Sequence, residues 1–288
     1  MTLRLLFPVL FLAIVAIWPG RGVPEEPADA PASAPRAQRM TYLKARAAEF
    51  ELFKGDDRAQ PLPVTREPLL RYSNPVRGFN LSDGATFLWL DGERPLAVAA
   101  WSIRLSPNRV YREFTSLSAE PLVCRFEGTD VWTPQTGGLL NQALPKADPP
   151  HAAAPRRLAQ MRTLAGRFSA VVFREGAPTE LRLMSQPFYR YKKESPEVLD
   201  GGLFSFAEAT DPEALLLLEA RPAKTKGTFE WRYTLARMTS LPLVMRLDDT
   251  EIWSVENFWK MPRSRDDPYF EANAGPYTPA GDQEGSDK

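Results

Sequence analysis

The chain holds one cysteine and one histidine in 288 residues. Those two scarcities exclude more chemistry than any motif supplies. A lone Cys124 cannot form an intramolecular disulfide. With His151 as the only imidazole, no metal site of the usual several Cys and His ligands can be assembled. A Ser-His or Cys-His catalytic pair would have to use His151, which sits in the run ADPPHAAAP, where a base is not rigidly held. The patterns HExxH, CxxC, GxGxxG, GxxxxGK, GxSxG and SxxK do not occur. No catalytic residue, metal ligand or cofactor contact is therefore assigned.

Net charge is missing as well: 36 Lys and Arg balance 36 Asp and Glu. There is no basic excess to bind nucleic acid and no acidic excess to keep a tail solvated. Long apolar runs are scarce. The one at the N-terminus, Leu5–Trp18 behind Arg4, is short against the roughly 20 residues a spanning helix needs, and fits a signal-peptide core. Residues 1–22 are thus expected to be a signal peptide or N-terminal anchor, which places the body of the protein outside the cytoplasm, periplasmic, secreted or tethered. Any membrane contact would run through that segment alone. Residues 23–37, rich in Pro, Ala and acid, read as a disordered tether.

What is present is a stretch that occurs twice. Pro121–Trp132 reads PLVCRFEGTDVW and Pro242–Trp253 reads PLVMRLDDTEIW. Each ends a longer unit whose parts recur in order. Met40, Leu43, Ala47 and Phe50 mark one face of a helix, and Leu158, Met161, Ala165 and Phe168 mark another. Strand patterns follow both. FSAVVFR (168–174), ATFLWL after Asp83-Gly84, and LFSFAEA after Asp200-Gly201-Gly202 are apolar or alternating. LAVAAWSI (96–103) and EALLLLEA (213–220) are apolar enough for central strands. The fold class expected is α+β: two tandem pseudo-repeats, each one amphipathic helix followed by about six antiparallel strands, packed with pseudo-two-fold symmetry. The divisions are repeat 1 over 38–136, a linker over 137–154, repeat 2 over 155–261 and a disordered tail over 262–288.

The runs LLRYSNPVRG, REFTSLS, RLAQMRTLAGRFSA, LRLMSQPFYRY, DGGLFSFAEATDPEALLLLEAR and LARMTSLPL, taken together, resemble a family of planctomycete-type bacterial proteins to which no activity is assigned. The resemblance spans about residues 60 to 255 and brings no catalytic residues.

Asp83 and Asp200 occupy equivalent places, and a carboxylate pair is what a glycosidase needs. Each stands in an Asp-Gly pair, where a turn role is the stronger expectation. The acidic tips Glu127–Asp130 and Asp248–Glu251 offer oxygens to calcium but are expected to be solvated. Ligand or partner contacts are expected from Arg71, Tyr72, Tyr189, Arg190 and Tyr191, and from the paired Arg125 and Arg246, Trp132 and Trp253. The sequence therefore favours an exported, non-enzymatic binding or interaction protein meeting a cell-envelope or extracellular partner. A carboxylate-dependent hydrolase and a periplasmic carrier of an apolar ligand are the alternatives.

Overall fold

A computed structural model describes residues 34–55, 58–73, 80–192 and 197–278. The N-terminal segment 1–22 and most of the tether lie outside them. Helix α1 (Ala34–Ala48) runs into β1 (Phe50–Lys54) and β2 (Leu70–Tyr72). A meander follows: β3 (Asn80–Asp91), β4 (Arg94–Ser106) and β5 (Asn108–Ser116). β6 (Leu122–Phe126) and β7 (Thr129–Trp132) form a hairpin, and β8 (Leu139–Ala143) comes next. Helix α2 (Ala154–Ala165) opens the second half with β9 (Phe168–Arg174), β10 (Ala177–Glu180), β11 (Arg182–Leu183) and β12 (Tyr189–Tyr191). A second meander, β13 (Asp200–Glu208), β14 (Asp211–Pro222) and β15 (Phe229–Arg237), precedes the hairpin β16 (Leu243–Leu247) and β17 (Thr250–Val255), and β18 (Tyr269–Asn273) is last.

The expected α+β class is overturned. Strand makes up 52% and helix 11%, with two helices against four antiparallel sheets among the described residues, so the fold is mainly β and not a pair of helix-plus-strand repeats. One cause is local. The stripes that suggested long helices end in Phe50 and Phe168, which are the first residues of β1 and β9. Another is non-local. The linker 137–154 contains β8, which pairs with β15 of the second meander. The tail expected to be disordered contains β18, which pairs with β5 of the first. Neither unit completes its sheet alone. Residues 34–37, expected in the tether, begin α1.

The sheets stack because two of them have no polar face. β1, β6 and β7 form an outer sheet that, with α1, covers one side of the inner sheet β18-β5-β4-β3-β2. β10, β9, β16 and β17 form the other outer sheet, which with α2 covers the second inner sheet, running β11-β13-β14-β15-β8 with β12 beside β13. Side chains on a strand alternate between faces, and here both faces are apolar. Phe87, Trp89, Ala99 and Trp101 enter the first outer core, while Leu88, Val98 and Ala100 between them enter a middle core. Leu216 and Leu218 enter the second outer core, and Leu215 and Leu217 meet the middle one. That is why EALLLLEA shows no alternation. Full burial of each such leucine is worth about 1.5–3 kcal/mol. The middle core contains residues of both inner sheets, so the two halves meet face to face.

Each recurring dozen-residue run folds as a hairpin, β6–β7 and β16–β17. At the tips Glu127 and Gly128, and Asp248 and Asp249, have positive φ, the backbone that two-residue hairpin turns require.

Candidate functional site

The residues that sequence reasoning proposed for ligands mostly hold the fold together. Asp83 and Asp200, expected in turns, lie within β3 and at the head of β13. Asp200 is fully buried and accepts from Arg157 Nε at 2.8 Å and from Arg190 Nε and Nη2 at 3.0 and 2.8 Å. Asp83 does the same with Arg39 at 3.1 Å and Arg71 at 2.9 and 2.7 Å. Each carboxylate therefore clamps one arginine from a helix and one from a neighbouring strand, a charge-assisted and partly bidentate arrangement. A carboxylate engaged on both oxygens by two guanidinium groups is poorly placed to act as nucleophile or base, and what is corrected is the turn role expected of Asp83 and Asp200. Arg71 and Arg190 are accordingly clamp residues.

The glycines beside these aspartates explain Tyr72 and Tyr191. Tyr72 stands opposite Gly84 and Tyr191 opposite Gly201 across their strand pairs. A Cβ on Gly84 would lie 2.3 Å from the Tyr72 ring, and one on Gly201 would lie 2.4 Å from that of Tyr191. Both rings are thus buried over bare backbone. Tyr189 is half-buried, and its hydroxyl donates to the Glu93 carbonyl at 2.9 Å. Tyr189, Arg190 and Tyr191 line a 330 Å³ notch with Glu93 and Lys192.

At the hairpin tips Asp130 accepts from Arg58 and Arg125, and Asp248 accepts from Arg167. Those bonds to Arg58 and Arg167 come first among the causes that hold both carboxyls below their ordinary value. Arg246 stands opposite Glu251 but makes no ion pair among the described residues. No group of three Asp, Glu, His or Cys suited to a metal ion occurs among the described residues. The two tryptophans part company. Trp132 is fully buried, and its Nε1 donates to the Asp267 carbonyl at 2.9 Å. Trp253 is half-open and lines a cleft.

That cleft belongs to a larger feature where the halves meet. After β17 the chain crosses toward β18 as a strap. Phe258 anchors it, with its N–H on the Ser240 carbonyl at 2.9 Å and its ring edge-on to Tyr269 at 5.1 Å. Arg237 fastens it from beneath, donating to the carbonyls of Thr239, Glu256 and Leu241 at 2.6–2.9 Å. On one side of the strap lies a 370 Å³ cleft walled by Trp253, Val255, Phe258, Met261 and Pro268. On the other lies a 960 Å³ groove whose walls come from both halves, with Arg104, Tyr111, Asn273 and Glu271 from the first inner sheet and Arg174 and Trp259 from the second half. Sites favour such junctions. Among the described residues the exposed large apolar side chains are Leu105, Trp259 and Met261, of which Trp259 lines the groove and Met261 the cleft. An apolar ring 44% exposed at the mouth of a groove is the kind of surface that marks an interaction site.

The floor of the groove is held by a hydrogen-bonded group. Trp259 Nε1 donates to Glu271 Oε2 at 3.2 Å, and the Tyr269 hydroxyl lies 2.8 Å from Glu113 Oε2 and 3.4 Å from Glu271 Oε2. Glu113 and Glu271 stand opposite each other across β5 and β18. Burial first, then these two carboxylates, pushes the Tyr269 pKa well above its ordinary value, so the phenol stays a donor.

The same balance sets a pH dependence. In Asp83 and Glu219 burial pulls the carboxyl pKa up, but the hydrogen bonds and charges of their arginines prevail and hold it below the ordinary 3.8 and 4.5. That stabilisation is present above those values and lost as pH falls through the lower folded ones. Tyr191 and Tyr269 are raised above 10.0, chiefly by burial. Their contribution is whole below that pH and lost as pH rises beyond it. Urea midpoints are therefore expected to be flat between about pH 5 and 9 and to fall on both sides. A midpoint at pH 11 equal to that at pH 8 would contradict buried neutral tyrosines.

Sequence reasoning did not single out Arg104, Tyr111, Trp259, Glu271 or Asn273 as site residues. The available signals were the adjacent aromatics Phe258-Trp259 just past an apolar strand, and the alternation Tyr269, Glu271, Asn273 in a polar segment. No protein-family model matches the chain, and neither a curated protein nor a solved structure matches it.

Proposed function

We propose that this chain is an exported, non-catalytic binding protein whose ligand enters the groove between the halves and stacks on Trp259. Export rests on the apolar segment behind Arg4. Binding rests on one observation above all: an indole left 44% exposed on a 960 Å³ depression whose polar and apolar walls come from both halves. The twice-occurring hairpin runs, and the Arg–Asp–Arg clamps that match between halves, support duplication of an ancestral segment that created such a junction.

The 370 Å³ apolar cleft favours a second reading, a carrier whose ligand has an apolar part. Both are tested by one thermal-shift screen of envelope-derived small molecules on the mature protein and on Trp259→Ala. A compound that raises the melting temperature of the parent and acts about tenfold more weakly on the variant supports the groove. Stabilisation undiminished in Trp259→Ala but abolished by Trp253→Ala favours the cleft. No stabilisation by any compound, or stabilisation unaffected by either change, contradicts both.

A further inference from the structure

We propose that the outer edge of β17 and the cleft at Trp253 form a docking slot for an extended segment of another protein, one with a basic residue beside an apolar one. The inference names an occupant for the cleft and does not depend on the groove. The chain itself supplies the template. In the first half, residues 264–267 lie along the outer side of β7, the last strand of its sheet. The Thr133 N–H donates to the Arg265 carbonyl at 2.6 Å, the Gln135 N–H to that of Asp266 at 3.3 Å, and Trp132 Nε1 to that of Asp267 at 2.9 Å. Arg265 reaches back to the Asp130 carbonyl at 3.3 Å. An open edge is thus completed by an extended segment from the other half, as a bound peptide would complete it.

The second half repeats the edge without the cover. The hairpins share a register, Cys124 opposite Trp132 and Met245 opposite Trp253. Ser254 and Glu256 therefore stand where Thr133 and Gln135 do, with N–H groups turned away from β16, and β17 is outermost in its sheet. Trp253 Nε1 and the Glu256 N–H have no protein partner among the described residues. The cause is chain length. Fifteen residues, 254–268, separate Trp253 from β18 and allow the return over Trp132. Only six, 133–138, separate Trp132 from β8. What reaches Trp253 is Gly138, where a Cβ would lie 3.3 Å from the indole Cζ2. The space left over is the 370 Å³ cleft, walled by Trp253, Val255, Phe258 and Met261, with room for an apolar side chain. Charge selects its neighbour. Glu256 in the cleft wall makes no ion pair among the described residues, whereas Arg237 is taken up by three carbonyls and Asp267 Oδ2 by the Ser264 N–H. An unpaired carboxylate at the rim favours a basic residue over an acidic one.

The test is selection of a random octapeptide library, displayed on phage, against the protein, followed by titration of the enriched peptides. Enrichment of Lys or Arg next to an apolar residue is expected. Ser254→Pro removes an outward N–H while leaving the ladder to β16, and should weaken these peptides about tenfold. Glu256→Lys should weaken them severalfold and should regain binding when the basic residue of the peptide is changed to Glu. Glu256 is exposed and lies outside the ladder, so this variant keeps the test decisive if the proline disturbs the edge. No enrichment overturns the inference. So do enriched peptides whose affinity neither change moves. A small apolar compound that binds through Trp253 where no peptide does also overturns it, and returns the cleft to the carrier reading. None of these outcomes bears on the groove, which is read at Trp259.

Discussion

Replacing Asp200 by alanine is expected to lower the free energy of unfolding by about 3–5 kcal/mol, the cost of leaving buried cations without their counter-charge. The side chain is fully buried, and Arg157 beside it is nearly so. Water cannot easily replace what is removed. Arg157 also donates to the carbonyls of His151 and Ala152, and Arg190 to that of Ala154, so the clamp ties the start of α2 and the preceding segment to β13. Asp83→Ala should cost less, because Arg71 is more exposed than Arg157 and water can solvate it. Urea denaturation of the two variants reads the difference. Equal losses would mean that burial does not set the strength of these clamps.

The second large effect is expected at Glu219. Its carboxylate, buried in β14, takes Arg94 Nε at 2.8 Å and the Tyr191 hydroxyl in a short hydrogen bond. Arg94 starts β4, so this ion pair joins the hairpin of one inner sheet to the body of the other. Glu219→Ala should cost about 3–5 kcal/mol, because Arg94 is left buried and Tyr191 loses its acceptor. The double variant Glu219→Leu with Arg94→Met should recover the part of that loss that comes from the stranded Arg94, since a buried pair can be exchanged for apolar groups at little net cost, while Tyr191 still lacks its acceptor. Denaturation midpoints of the parent and the two variants check this. A double variant no better than the single would show that the pair acts through something other than its mutual charge.

Much of the local structure was legible. The dozen-residue runs are hairpins, and EALLLLEA is a central strand, because a strand between two sheets needs apolar residues at every position. Asp-Gly misled. The pair is a turn signal over four residues, but here glycine makes room for a tyrosine ring across the sheet, and aspartate meets an arginine on a helix more than forty positions away. Such partners leave no trace in local pattern. β8 and β18 were missed for a related reason: both are short and partly polar, and each is a strand only because the far half offers an open edge.

The two tryptophans show how matching sequence acquires different surroundings. Over Trp132 lie residues 264–268, with Thr133 and Gln135 N–H groups bonded to the carbonyls of Arg265 and Asp266. That segment follows the second half and folds back on the first. Trp253 therefore stays half-open. The groove itself is assembled from residues more than a hundred and fifty positions apart, Arg104 to Asn273, and only the packing of the inner sheets brings them together.

Everything about the site depends on the halves sharing the middle core. Thermal unfolding by calorimetry, with far-ultraviolet circular dichroism on the same sample, tests this most directly. A single transition, with calorimetric and van't Hoff enthalpies equal, is the result predicted for sheets that cannot separate without exposing Leu88, Val98, Leu215 and Leu217. Two resolved transitions, each carrying part of the strand signal, would contradict it.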